Sequence, residues 1–146
     1  GAAFSLRGYT SPVQEHYFLV PPAGTPFADL TEARLRRVPG AFGHPDPTEG
    51  KTFVIAASPQ MGKWLEAKLK QEPRTSLISQ GLITIHPAAI EVWQNAPRET
   101  LAVIEPLVTW ILRTWPCQVI GEDGDDWTAR YGQDPHALFV EEDAWG

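Results

Sequence analysis

The segment TFVIAASPQMGKWLEAKLKQEP, residues 52–73, contains the strongest secondary-structure signals in the chain. It begins with a continuous apolar run, which is typical of a buried central strand. Ser58 and Pro59 follow and predict a helix start, because serine caps the first turn and proline fits its first position. The predicted helix runs to about Gln71 and ends before Pro73. Its apolar face comprises Met61, Trp64, Leu65 and Leu69.

Upstream of this segment the sequence predicts one strand, one short helix and a loop. Residues 13–20 are rich in aromatic and β-branched side chains and predict a strand. Residues 28–38 predict a helix with Leu30 and Ala33 facing inward. The proline- and glycine-rich residues 39–50 predict a loop.

Downstream, the sequence predicts four short strands and a second long helix. The strands are predicted at 75–79, 82–86, 89–94 and 117–120. Gln80 and Gly81 separate the first two strands by the spacing of a tight hairpin. The helix begins near Pro97, and Pro106 inside it predicts a kink or a split.

From about residue 51 the predicted order is β-α-β-β-α-β, the ferredoxin-like arrangement. The predicted fold class is α+β, with a mixed or antiparallel sheet and two main helices. The N-terminal strand and helix would join this core at an edge or as a layer. With 146 residues the chain predicts a single domain. Its parts are the N-terminal residues 1–50, the core 51–120 and an acidic-aromatic segment 121–146.

Charge is distributed unevenly along the chain. Residues 1–116 hold 11 basic and 10 acidic side chains, whereas residues 117–146 hold eight acids and one basic residue, Arg130. This argues against nucleic acid as a partner of the C-terminal segment, because phosphate contacts require lysine and arginine. A basic protein partner fits the segment, since opposite charges attract over long range.

Several other classes are disfavoured by composition. The longest apolar candidate, 101–115, is interrupted by charged residues and a proline, so no membrane span is predicted. The N-terminus lacks the pattern of an intact secretory signal. Cys117 is the single cysteine and excludes an internal disulfide. These features favour a cytoplasmic protein.

No cofactor, metal or catalytic pattern is complete. The phosphate-loop pattern fails because Ala57 replaces the first glycine and Trp64 replaces the final serine or threonine. No Gly-x-Ser-x-Gly motif is present. The histidines lie far apart, without the spacing of zinc ligands. They are His16, His44, His86 and His136.

The segment GEDGDDWTARYG, residues 121–132, is the centre of the charged region. A calcium loop fails because Trp127 and Thr128 stand where a ligand and the turn glycine are needed. A docking surface for a basic partner is one interpretation, with candidate residues Glu122, Asp123, Asp125, Asp126, Trp127, Arg130 and Tyr131. The alternative is a solvated turn, whose aromatic residues pack back on the sheet. Its acids would then pair with Lys63, Lys68, Lys70 and Arg74.

Residues 101–139 resemble small bacterial immunity proteins of polymorphic and contact-delivered toxin systems. The similar stretches are the helix LAVIEPLVTWILRTWP, the strand CQVIGEDG and the tail DWTARYGQDPHALF. The resemblance covers about a quarter of the chain. It implies a non-enzymatic α+β protein that binds and neutralises one cognate toxin, and the acidic tail would suit a basic toxin.

Two other functions stay open at this point. In a small enzyme or ligand-binding domain, His16, His86, Glu91 or Cys117 would converge in a pocket between the sheet and the helices. In a structural subunit of a larger assembly, one face of the sheet would expose an apolar patch.

Overall fold

A computed structural model describes residues 16–45, 50–77 and 80–139. The strands in this part of the chain are β1 (His16–Val20), β2 (Ala41–Gly43), β3 (Lys51–Ile55), β4 (Gly81–Ile85), β5 (Ile90–Trp93) and β6 (Gln118–Gly121). The helices are α1 (Phe27–Leu35), α2 (Pro59–Gln71), α3 (Arg98–Thr114) and α4 (Thr128–Tyr131), followed by a 3-10 turn at Pro135–Leu138. The α+β class and the single domain are as predicted.

The six strands form one sheet in the order β2-β3-β4-β5-β1-β6, and every neighbouring pair is antiparallel. From residue 51 the elements follow in the predicted order. However, α2 joins β3 and β4, which are direct neighbours, whereas a split βαβ unit places another strand between the two that its helix connects. The ferredoxin-like arrangement is therefore not confirmed. The N-terminal strand β1 lies inside the sheet, not at its edge.

The boundaries of α2 confirm the local signals. The Oγ of Ser58 accepts a hydrogen bond from the backbone N–H of Met61 at 3.1 Å. The predicted apolar face is only partly right, because Met61 and Trp64 are 44% and 58% exposed. The helix instead approaches the chain before β2 so closely that a Cβ on Gly62 would lie 2.8 Å from the Cα of Gly40. This contact turns Gly62, Leu65 and Leu69 inward.

The predicted hairpin around Gln80 is wrong. Residues 75–77 are not in a strand, and residues 78 and 79 lie outside the described part of the chain. Instead β4 pairs with β5, and their connection closes with a 2.8 Å hydrogen bond from the N–H of His86 to the carbonyl of Ala89. The predicted loop 39–50 also contains β2, which pairs with β3, although residues 46–49 are not described.

Two helix predictions also need correction. The split predicted at Pro106 is absent, since α3 continues through this residue; Pro106 is exposed, so water can solvate the carbonyl that loses its partner. Helix α1 buries Phe27, Thr31 and Leu35, whereas Leu30 and Ala33, both expected to face inward, are exposed, Leu30 to 46%. For the first strand, residues 16–20 are confirmed, and residues 13–15 lie outside the described range.

The two faces of the sheet are covered differently. Helices α1 and α3 pack on one face over the main core, which includes Tyr17 and Val92. On the other face α2 packs over a smaller cluster near the β2 edge, formed with Phe42 and Val54. The apolar side chains of β1, β5 and β6 on that second face belong to neither cluster. They are Phe18, Val20, Trp93 and Ile120, all half-buried.

Candidate protein-binding site

The four acids after β6 lie in a tight turn, here called the acidic loop (Glu122, Asp123, Asp125 and Asp126). The N–H of Gly124 donates to the carbonyl of Gly121 at 2.9 Å, and the N–H of Gly121 donates to the carbonyl of Asp125 at 2.8 Å. Gly124 has a φ of +89°, which favours glycine at this position. All four acidic residues are exposed. The turn predicted after the last strand is therefore present.

Asp126 connects the acidic loop to the helix that follows. Its Oδ1 accepts hydrogen bonds from the hydroxyl of Thr128 and from the N–H of Thr128, the latter at 2.9 Å. The Thr128 hydroxyl oxygen in turn accepts a 3.0 Å bond from the N–H of Val119 in β6. These bonds lower the pKa of Asp126 below its usual value, and the bond from the Thr128 hydroxyl has the largest effect. They also fix the loop against β6.

Trp127 and Tyr131 pack back against the main core. The Trp127 ring lies 5.5 Å from that of Tyr131 and 6.3 Å from that of Tyr17, measured between centroids. The ring also covers Gly121, where a Cβ would lie 2.5 Å from the indole. Arg130 stacks on Tyr131, with its guanidinium carbon 4.9 Å from the ring centre. Of the candidate binding residues, the acids are thus presented to solvent and the two aromatic residues anchor the segment.

The basic residues expected as alternative partners of these acids are distant. The acidic loop follows β6 at one edge of the sheet, whereas α2 packs near the opposite edge. Strands lie roughly 4.8 Å apart, so the four spacings from β6 to β3 amount to roughly 19 Å. Ion pairs require about 4 Å. The loop acids therefore do not pair with Lys63, Lys68, Lys70 or Arg74.

A second group of polar and aromatic side chains lies on the α2 side of β1 and β5. His86 Nε2 is 2.9 Å from Glu91 Oε1, and His16 Nε2 is 3.9 Å from Glu91 Oε2. The ring of His16 lies 4.3 Å from that of Trp93, its register partner, and 5.5 Å from that of Phe18. We call this surface, whose side chains are all half-buried, the open half-face, because neither described cluster includes it (His16, Phe18, Val20, His86, Glu91, Trp93 and Ile120).

The acidic loop and the open half-face are contiguous. Tyr17 is opposite Gly121 in the register of β1 and β6, so the next residues, His16 and Glu122, face each other. His16 Nδ1 lies 3.9 Å from Glu122 Oε2. Because Glu122 belongs to the loop and His16 to the half-face, the two form one continuous surface at this edge of the sheet.

The pocket hypothesis grouped four residues, and the structure brings three of them together. His16, His86 and Glu91 come together, but on a face of the sheet. Cys117 belongs to the main core, and burial raises its thiol pKa to about 11. Among the described residues no set of three His, Cys, Asp or Glu is suited to a metal ion.

A groove of about 610 Å³ lies elsewhere on the molecule, along the outer side of α3. Its lining includes Glu105, Pro106, Trp110 and Arg113. It is therefore separate from both the acidic loop and the open half-face. The structural-subunit hypothesis expects an exposed apolar patch on the sheet, whereas the apolar side chains of this face are half-buried, and the exposed large hydrophobic residues of the described chain, Leu30, Met61 and Trp64, lie on helices.

Sequence reasoning found the acids but missed Phe18 and Trp93. Alternate residues of a strand share a face, so HYFLV groups His16 with Phe18 and IEVW groups Glu91 with Trp93, but the sequence does not show that these two strands are neighbours. Comparison with models of protein families, with curated proteins and with solved structures found no match to this chain. None of the described helices has the length and apolarity needed to cross a membrane.

Proposed function

We propose that this chain is a protein-binding module that docks a basic protein partner through the acidic loop. The main support is that the four acids are exposed and yet held in an ordered turn. Hydrogen bonds that involve Gly121, Val119 and Thr128 hold the backbone of the loop. A loop that is already ordered loses little conformational entropy on binding. Charges at the rim of an interface accelerate association with an oppositely charged partner.

Within this proposal the candidate residues divide into two roles. Glu122, Asp123 and Asp125 contact the partner, together with Asp126. Trp127 and Tyr131 act as positioning residues, because they pack under the loop. Arg130 stays beside Tyr131 and limits how closely a basic partner can approach from that side.

The narrower proposal is that the partner is a bacterial toxin domain, bound in the cytoplasm and neutralised. Its support is the resemblance of residues 101–139 to small immunity proteins, together with the negative charge of the C-terminal segment. Co-expression tests it: where the product of the neighbouring gene arrests growth, co-production of this chain should restore growth. Continued growth arrest would argue against an immunity role.

Docking is tested by replacing Asp123, Asp125 and Asp126 with asparagine and measuring the Kd for the protein from the neighbouring gene. Asparagine keeps the Oδ1 acceptor on which the turn depends. Exposed ion pairs contribute about 0.5 kcal/mol each. Three lost charges should therefore weaken binding by about tenfold, mainly at low salt.

A matched control removes three acids elsewhere. Asp29, Glu72 and Glu99 are exposed and lie on α1, after α2 and on α3. Their change to Asn or Gln alters the net charge by the same amount. If the control variant loses as much affinity as the loop variant, global charge and not the loop explains binding. If neither variant loses affinity, the docking role is wrong.

A further inference from the structure

We infer that the groove along α3 binds an oligopeptide of three or four residues with free ends, whose carboxylate lies at Arg113 and whose amine lies at Glu105. The groove lies apart from the acidic loop, so its ligand would not compete with the basic protein partner for contacts. Opposite charges at the two ends, an apolar wall between them and a backbone acceptor together define this ligand.

The two ends of the groove carry opposite charges. Its lining residues follow one face of α3, from Ala102 and Glu105 at one end to Arg113 at the other. A helix rises about 1.5 Å per residue, so the separation of Glu105 and Arg113 along the helix axis is about 12 Å. An extended peptide covers that distance with three or four residues, at about 3.3 Å each. An oligopeptide of this length therefore carries its amine and its carboxylate at the spacing of the two side chains.

Arg113 supplies the end that binds the carboxylate. Its side chain is exposed and forms no hydrogen bond or ion pair with another described residue. A guanidinium group can donate two parallel hydrogen bonds to a carboxylate. Arg34, from α1, adds a second positive charge, with its Cζ 4.6 Å from the ring centre of Trp110, and it has no carboxylate partner in the described ranges. In a chain with a net charge of −6, these two arginines favour an anionic group at this end.

Glu105 and Ala102 supply acceptors at the other end. The Oε2 of Glu105 is hydrogen-bonded to the Nδ1 of His136, whereas its Oε1 makes no hydrogen bond to a described residue. Pro106 has no N–H, so the carbonyl of Ala102 lacks its usual partner in the helix, and both residues line the groove. A peptide amine can pair with the carboxylate while a peptide N–H donates to that carbonyl. The amine end of the ligand is therefore placed at Glu105.

Between the charged ends the wall of the groove is mainly apolar. Pro106 and Trp110 line it, with Thr109 beside them. The buried Trp115 meets the half-buried Trp110 ring edge-on, at 5.4 Å between centroids and an angle of 75°, so packing holds this indole in one orientation. Apolar side chains in the middle of a peptide would cover the exposed part of the ring. The volume of about 610 Å³ is typical of a site for a small ligand and not of an interface with a folded domain.

The test uses the tetrapeptide glycyl-leucyl-leucyl-glycine, titrated into the 15N-labelled chain in four forms. One form has both ends free, one has an acetylated amine, one has an amidated carboxylate, and one has both ends blocked. The free peptide should shift the indole N–H signal of Trp110. Each blocked end should weaken binding about threefold, as expected for the loss of one exposed ion pair, and both together should weaken it about tenfold.

Variants assign each end of the peptide to one residue. In Arg113→Gln the amidated and free-carboxylate forms should bind equally, and in Glu105→Gln the acetylated and free-amine forms should bind equally. Arg37→Gln is the matched control, because Arg37 is exposed just after α1 and its loss changes the net charge as Arg113→Gln does. This control should preserve both differences. Equal affinity of the free and doubly blocked peptides, a carboxylate preference that persists in Arg113→Gln or is lost in Arg37→Gln, or shifts confined to residues 122–126 would each overturn the inference.

Discussion

Replacement of Trp127 by alanine should destabilise the fold, because this indole anchors the acidic segment. The ring contacts Tyr17 and Tyr131 and covers Gly121, whose lack of a side chain makes room for it. Its backbone N–H also donates a 2.7 Å hydrogen bond to the carbonyl of Val119, a bond that alanine would keep. The variant therefore removes packing and leaves the backbone connection intact.

The magnitude follows from burial. Tryptophan-to-alanine changes in a core cost about 3–5 kcal/mol. Trp127 is half-buried, so about half of that, roughly 2 kcal/mol, is expected. At about 3 °C per kcal/mol for a chain of this size, the melting temperature should fall by about 6 °C. Trp64, which is 58% exposed and has the Lys68 Nζ 4.9 Å from its ring centre, offers the same substitution with a cost below about 0.5 kcal/mol.

Urea unfolding followed by circular dichroism is the suitable assay, because the substitutions remove fluorescent side chains. The midpoint of the Trp127→Ala variant should fall without a change in slope, which reports a loss of stability and not of compactness. If Trp127→Ala and Trp64→Ala cost the same, Trp127 does not anchor the segment. It would then belong with the partner-binding residues.

Three further predictions concern titratable groups. The buried hydroxyl of Tyr17 has no hydrogen-bond partner among the described residues. Tyr17→Phe should therefore raise the free energy of unfolding by about 1 kcal/mol. A decrease of that size in the free energy of unfolding, measured in urea, would contradict this. With a pKa of about 11, about one Cys117 thiol in a thousand is ionised at pH 8. Ellman's reagent should therefore react with Cys117 only after the chain unfolds. Rapid labelling of the native chain would refute this prediction. A hydrogen bond with Glu105 raises the pKa of His136 above 6.5. The His136–Glu105 pair should therefore stabilise the fold below pH 6.5 and lose this effect as pH rises through the higher pKa of His136 in the folded state. Glu105→Gln should lower the pKa of His136 measured by NMR.

The local structure of α2 shows what the sequence can and cannot predict. Ser58, Pro59 and Pro73 act on the chain directly beside them, and the helix boundaries follow from them. Which side faces inward depends on Gly40, a residue distant in sequence that approaches Gly62. Hydrophobicity alone therefore assigned Met61 and Trp64 to the core.

The candidate site divides in the same way. The exposure of the acidic loop could be predicted, because charges and turn glycines act locally. The open half-face could not, since it forms only when β1 enters the sheet between β5 and β6. That insertion brings His16 beside Trp93 and Glu122, residues that are far apart along the chain.

Hydrogen–deuterium exchange of the chain with and without the protein from the neighbouring gene tests the central claim most directly. Binding through the acidic loop should slow exchange in residues 119–127. Exchange in α2, near the opposite edge of the sheet, should stay unchanged. Protection of α2 around the exposed Met61 and Trp64, with no change in residues 119–127, would contradict the claim.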